Sequence, residues 1–189
     1  MSTYLTSDLH LGHDRCAVQF RRGISFEEYN EISPEERIII VKRHDEEIMD
    51  ELAIHVRSKK DGLIIAGDLS LNAEHGCALI NKLPGTKHLL LGNHEHHNMR
   101  KYINTFNKIM PGMRKKDFTI THIPLHPEEL GARDSIGRIN IHGHRHNTEL
   151  SWSPDPQHLY FNICWDRWKG PLTIEIIEEF LRNGKAGEY

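Results

Sequence analysis

Short, uninterrupted apolar runs alternate along the chain with longer stretches of helical periodicity, a pattern that predicts an α/β domain. Tyr4-Leu5-Thr6 is a first strand-like run, and Leu63-Ile64-Ile65-Ala66 is apolar at every position. Leu89-Leu90-Leu91, Phe118-Thr119-Ile120-Thr121, Ile139-Asn140-Ile141 and Tyr160-Phe161-Asn162-Ile163 supply four more. Ser33-Pro34-Glu35-Glu36 reads as a helix start: Ser33 can cap, Pro34 suits the first helical position, and Glu36 completes a capping box. That helix is expected to run to about Val56, burying Val41, Ile48, Leu52 and Val56. Shorter helices are expected at 73–81 and 174–181, a loop with a partial turn at 21–33, and a fraying tail from 183 onward. No internal repeat or low-complexity segment interrupts the alternation.

Five of the strand-like runs end on a residue that can bind metal. They lead into Asp8-Leu9-His10, Gly67-Asp68, Gly92-Asn93-His94-Glu95, His122 and Gly143-His144-Arg145-His146. Ligand sites of open α/β sheets lie beyond the carboxyl ends of strands, so this pattern would gather the five segments at one sheet edge.

Composition narrows the classes. The length of 189 residues suits one domain, 1–189, with a core large enough to need no disulfide. A balance of 24 Lys+Arg against 27 Asp+Glu, net charge -3, argues against binding long nucleic acid across the whole surface. It leaves room for a small phosphorylated substrate, because bound metal supplies positive charge locally. Cys16, Cys77 and Cys164 are scattered and form no C-x-x-C, as expected of reduced thiols in a cytoplasmic protein. No signal-peptide pattern opens the chain, and no apolar run reaches the ~20 residues of a membrane span.

The 15 His are the unusual feature, since imidazole is a frequent metal ligand and acid–base group. The five blocks combine carboxylate, imidazole and amide without thiolate, a mixture that suits Mn²⁺, Fe or Zn²⁺. In D-x-H and H-x-H the intervening residue lets two side chains of an extended segment point the same way. Gly67, Gly92 and Gly143 permit tight turns and close backbone approach. Neither a G-x-S-x-G nor a G-x-x-x-x-G-K motif occurs.

In order and composition the blocks D-x-H, G-D, G-N-H-[DE], H and G-H-x-H resemble those of the calcineurin-like metallophosphoesterase superfamily, spanning Asp8 to His146. The small single-domain members from bacteria and phages are most similar, in Thr6-Ser7-Asp8-Leu9-His10-Leu11-Gly12-His13 and in the ending from Asn162 through an Asp-containing loop to Pro171-Leu172-Thr173. The resemblance implies two packed mixed β-sheets flanked by helices, a four-layer sandwich. It implies two divalent ions, Mn²⁺ foremost, with Fe, Zn²⁺ or Ni²⁺ as alternatives. Asp8, His10 and His146 would hold one ion, Asn93, His122 and His144 the other, and Asp68 would bridge them. The implied reaction is attack on a phosphate ester by a metal-bridging hydroxide, with His94 protonating the leaving group. Glu95 stands where many relatives carry Asp, which leaves the ligands intact and its own supporting role open.

His13, Arg15, Arg21 and Arg22 are candidate substrate contacts, with His126 and Arg145 behind them, because Arg can clamp phosphate. Arg145 lies between two ligand positions and is expected to point away from them. His142 is expected to be structural or to support a ligand. His44, His55, His75, His88 and His158 read as ordinary histidines, His96 and His97 as exposed residues, and at least two of Trp152, Trp165 and Trp168 as packing. The favoured substrates are phosphodiesters such as cyclic nucleotides or small nucleotide esters, followed by phosphomonoesters, since the chain has no room for a nuclease's extra domains. The alternatives are a nuclease on short RNA or DNA and a catalytically silent interaction scaffold.

Overall fold

The computed structural model describes residues 1–95, 99–130, 139–148, 150 and 160–183. The fold is α/β with two mixed sheets flanked by helices. The first sheet has the order β4-β3-β2-β1-β9, formed by β1 (Thr3–Thr6), β2 (Gly62–Ala66), β3 (Thr86–Leu90), β4 (Lys108–Met110) and β9 (Leu172–Thr173). Its first four strands run parallel, and β9 closes against β1 antiparallel. The second sheet, β5 (Gly112–Lys115), β6 (Phe118–Thr121), β7 (Ile139–His142) and β8 (Tyr160–Asn162), is parallel except at β5. Single-residue pairing of Ser7 with Cys164 joins the ends of β1 and β8.

Strand alternation explains two cores. Leu5, Ile64, Ala66 and Leu90 meet Phe118, Ile120, Ile141 and Phe161 of the second sheet. Leu63, Ile65 and Leu89 face the other way, onto Ile48, Leu52 and Val56 and onto Ala73, Cys77 and Ile80. Thus β2 is covered on both faces, which is why it is apolar at every position. The covering helices are α2 (Pro34–His55) and α3 (Ala73–Ile80), with α1 (Phe26–Glu31) and α4 (Met99–Tyr102) at the margins. At the chain's end, α5 (Trp165–Trp168) follows β8, and α6 (Ile174–Arg182) sends Ile174 and Ile177 into the core between the sheets.

Ser33 and Glu36 form the expected capping box of α2. Val41, however, is only half-buried; Asp45 occupies the next inward position, and both its oxygens accept from Gly12 N–H, at 2.9 and 3.0 Å. The helix meets a polar turn there instead of an apolar surface, which is the reason for the difference. The segment expected as loop contains α1, whose own capping box is Ser25 with Glu28. Asn183 ends α6 as its C-cap, and 184–189 lie outside the described residues. The three cysteines are free and buried. Among the described residues no helix is long and apolar enough to cross a membrane.

Candidate metal centre

All five sequence blocks lie at the carboxyl ends of β1, β2, β3, β6 and β7. Past β1 and β2 the chain runs on in paired loops: Asp8 N–H donates to Gly67 O, His10 N–H to Asp68 O, and Leu11 N–H to Leu69 O, at 2.8–3.0 Å. Within these loops Asp8, His10 and Asp68 take positive φ of 57°, 50° and 54°. In the loop after β7, His144 and His146 do the same, at 67° and 46°.

Two groups of ligand atoms result, each with its members within 4.8 Å of one another: Asp8, His10 and His146, and Asp68, His122 and His144. Asn93 joins the second, its Oδ1 2.9 Å from His122 Nε2. Asp68 stands between the two, with Oδ2 3.4 Å from His122 Nε2 and 3.8 Å from His10 Nε2. The seven residues singled out as ligands are therefore together. His94 is beside them, Nε2 3.5 Å from Asp68 Oδ2 and ring 5.3 Å from that of His10. Further groupings of His10 with Asp68 and His94, and of His10 with His13 and Cys16, overlap this centre.

The polar atoms fit a cation. His10 is 3% exposed, and its buried Nε2 has no hydrogen-bond partner while it looks toward two carboxylates. Burial drives His10 down to about 3, so the ring is neutral and keeps a lone pair for a metal. His122 Nδ1 lies 2.9 Å from Ala66 O and its Nε2 lies 2.9 Å from Asn93 Oδ1, so the ring is aimed with Nε2 at the second group. Burial pushes His122 down, but Asp68 and Asp8 outweigh it and hold the ring above its ordinary value. Burial pushes the Asp68 carboxyl up, and His122, His10 and His94 together bring it below the usual range.

Main-chain donors hold the centre's frame. The Asp8 carboxylate accepts from His144 N–H at 2.9 and 3.1 Å, and Ser7 Oγ and Cys164 Sγ also bond it. Glu95 is fully buried and accepts from the N–H groups of Asp68, Leu69 and Gly92, at 3.0, 2.7 and 2.7 Å. It therefore ties the loops after β2 and β3 together. Burial, then the Asp68 charge, raises its carboxyl above the ordinary range. A Cβ at Gly143 would lie 1.8 Å from Ser7 Oγ, and one at Gly92 2.3 Å from Asp68 Oδ1, so only glycine lets these loops close on the carboxylates.

The candidate substrate contacts separate. His13 belongs to the centre, with Nδ1 3.4 Å from His10 Nδ1 and its ring 6.1 Å from that of His94. Arg15 is exposed, its guanidinium 5.7 and 5.6 Å from the rings of Phe20 and Phe26. Arg22 is exposed and lines a cavity of about 500 Å³ with Arg43 and Lys169. Arg21 lines the same cavity, but its side chain is only 8% exposed and bonds Asp166, Asp8 O and Leu9 O, so it acts as an internal brace. The charges of Lys42 and Arg43, candidates for a nucleic-acid groove, are paired with Glu46 and Glu47 on the same helix. A larger cavity of about 730 Å³ lies between α2 and α3 and contains none of the ligands.

His142 is buried, bonds Gly143 O at 2.8 Å and packs on Tyr160, the expected structural role. Trp165 is buried, and Trp168 stacks on Phe161. His96, His97, Trp152 and His158 lie outside the described residues. Asp166 is a member of this cluster that was not singled out from sequence; it accepts from His146 Nδ1 at 2.5 Å. A signal was present: like the ligands, it is a polar residue shortly beyond an apolar strand.

No family model and no curated protein matches the chain. Among solved structures, a protein of unknown function from Aquifex aeolicus is similar with a TM-score of 0.63 at 16% identity, covering 95% of this chain and 98% of that one. That likeness speaks for the fold alone. The phosphopantetheinyl hydrolase of Mycobacterium tuberculosis matches with a TM-score of 0.30 at 15% identity, over 71% of this chain and 46% of its own, too little to carry a structural conclusion.

Proposed function

We propose that this chain is a dinuclear-metal phosphoesterase of the calcineurin-like type, with the four-layer sandwich of that superfamily. The observation that carries the proposal is the position of Asp68. One carboxylate oxygen stands 3.4 Å from a histidine nitrogen of one ligand group and 3.8 Å from a histidine nitrogen of the other. Asp8, His10 and His146 would hold one ion, and Asn93, His122 and His144 the other. The mixed oxygen and nitrogen donors suit Mn²⁺, Fe or Zn²⁺, of which the resemblance puts Mn²⁺ first. When bound, the ions supply Lewis acidity and a water acidic enough to attack phosphorus at neutral pH.

The remaining work falls to the chain. Asp68 keeps the two sets at a fixed spacing, and Glu95 fixes the backbone that presents it. His94 Nε2 holds the proton that the departing oxygen takes up, and His13 lines the same side of the centre. An imidazole acid helps a poor leaving group, which suits diesters; small nucleotide esters and cyclic nucleotides are the substrates we favour. The pairing of Lys42 and Arg43 with neighbouring glutamates supports a small substrate over a long polynucleotide.

The test is turnover of one activated diester and one activated monoester by metal-stripped protein with Mn²⁺ restored, beside Asp68→Ala. Mn²⁺-dependent cleavage is expected, with a loss of more than about 10²-fold in the variant. Wild-type-like turnover by Asp68→Ala would refute the site. Mn²⁺ binding without turnover of either ester would leave the scaffold alternative.

A further inference from the structure

We infer that Asp166 and Arg21 are positioning residues that set the cation affinity of the Asp8, His10 and His146 group selectively. The inference rests on the dinuclear reading and extends it to two residues that hold no ion. His146 Nδ1 donates to Asp166 Oδ2 at 2.5 Å, so the tautomer is fixed and Nε2 presents its lone pair, 3.7 Å from Asp8 Oδ1. The other oxygen, Asp166 Oδ1, accepts from Arg21 Nε at 2.8 Å. The same guanidinium donates to Asp8 O at 2.6 Å and to Leu9 O at 3.1 Å, and it also meets His44. One planar group thus connects the carboxylate that aims His146 to the backbone that carries Asp8.

Three features make this more than packing. Asp8 and His146 both sit at positive φ, 57° and 46°, and the brace grips both strained segments. The other group is supported differently: His122 is oriented by the carbonyl of Ala66, a dipole without a full charge. A carboxylate behind a histidine raises its basicity as a ligand more than a carbonyl does. Arg21 and Asp166 are also nearly solvent-free, at 8% and 7% side-chain exposure. A buried pair of this kind adds little stability over apolar residues of the same volume, which argues for a role in positioning.

The experiment is calorimetric titration of Mn²⁺ into metal-stripped wild type, Asp166→Asn and, as a control on the other group, His144→Ala. Co²⁺ absorption serves as an independent signature of each site. Wild type is expected to bind two equivalents. Asp166→Asn is expected to weaken one of them by about 10–100-fold and leave the other unchanged. His144→Ala should weaken the other one. Should Asp166→Asn misfold by circular dichroism, Arg21→Lys keeps the charge, loses the fork, and is expected to show the same selective loss. Binding of both equivalents as in wild type, or equal weakening of both, would overturn the inference and leave the dinuclear reading standing. Failure of wild type itself to take two equivalents would remove the reading on which it rests.

Discussion

Replacing Gly143 by alanine would put a methyl carbon 1.8 Å from Ser7 Oγ, 2.5 Å from Asp8 Oδ2 and 2.8 Å from Ser7 Cβ. Ser7 and Asp8 are fully buried, so neither can swing into solvent. The single Ser7 hydroxyl proton is donated to Asp8 Oδ2 or to Ala66 O, the latter 2.7 Å away inside the first sheet, and that bond would be lost as the hydroxyl moves. Overpacking of this kind costs about 1–3 kcal/mol. The lost hydrogen bond adds about 1 kcal/mol, for a total of about 2–4 kcal/mol. In a domain of this size each kcal/mol moves the melting temperature by about 2–4 °C, so Gly143→Ala should melt roughly 4–16 °C lower. The assay is scanning calorimetry in chelator, where loss of metal makes no contribution. Ser7→Gly removes two of the three close atoms, so the double variant should be more stable than additivity predicts, by about 1 kcal/mol or more. Asp8 remains in the way, and the double variant should still bind Mn²⁺ more weakly than wild type. An unchanged melting temperature in Gly143→Ala, or an additive cycle, would refute the close approach of these two loops.

His94→Ala should keep both ions but slow cleavage by about 10²–10⁴-fold for esters with poor leaving groups and far less for activated ones; equal losses across a leaving-group series would exclude the general-acid role. His142 carries a pH prediction. Burial lowers it from 6.5 to about 4, so the unfolded chain binds the proton first. Its contribution to stability is complete above about pH 6.5 and is lost as pH falls toward 4, in all about 3 kcal/mol. Denaturant titrations of metal-free protein across that window should show the decline, to which buried His10 also contributes, and His142→Gln should make it shallower; identical pH slopes would show that His142 is not held neutral in the native state.

Much of the fold follows from apolar runs, because the buried central strands have no alternative use for them. Leu63–Ala66 and Phe118–Thr121 are legible for that reason, as is α2 from its Ser33–Glu36 box. The short edge elements were not. Lys108–Met110 and Gly112–Lys115 contain no completely buried position, so their sequences carry little pattern to read. Helix α1 was missed although Ser25 and Glu28 mark its start, since six residues with only Tyr29 buried leave no periodic apolar face. The cluster of candidate ligands was legible because each follows a strand. Arg21 and Asp166 were not, because their meaning lies in a hydrogen bond spanning 145 positions of sequence.

Backbone conformation was the least legible property, and it concentrates at the centre. Seven non-glycine residues among those described have positive φ, and five of them are Asp8, His10, Asp68, His144 and His146. Asp tolerates this region better than most residues, and so does His, which accounts for its occurrence without glycine. Each such residue still costs about 1–3 kcal/mol, on the order of 5–15 kcal/mol for five, as much as the net stability of an ordinary domain. Strain on that scale persists only where neighbours over-determine the geometry. Here the neighbours are identifiable: Glu95 on the Asp68 loop, His144 N–H on the Asp8 carboxylate, and Arg21 on the Asp8 carbonyl. A left-handed residue turns the chain sharply, and five of the seven lie in the loops that carry the candidate ligands. The strained backbone therefore marks these loops as a candidate site, alongside the residue types that occupy them.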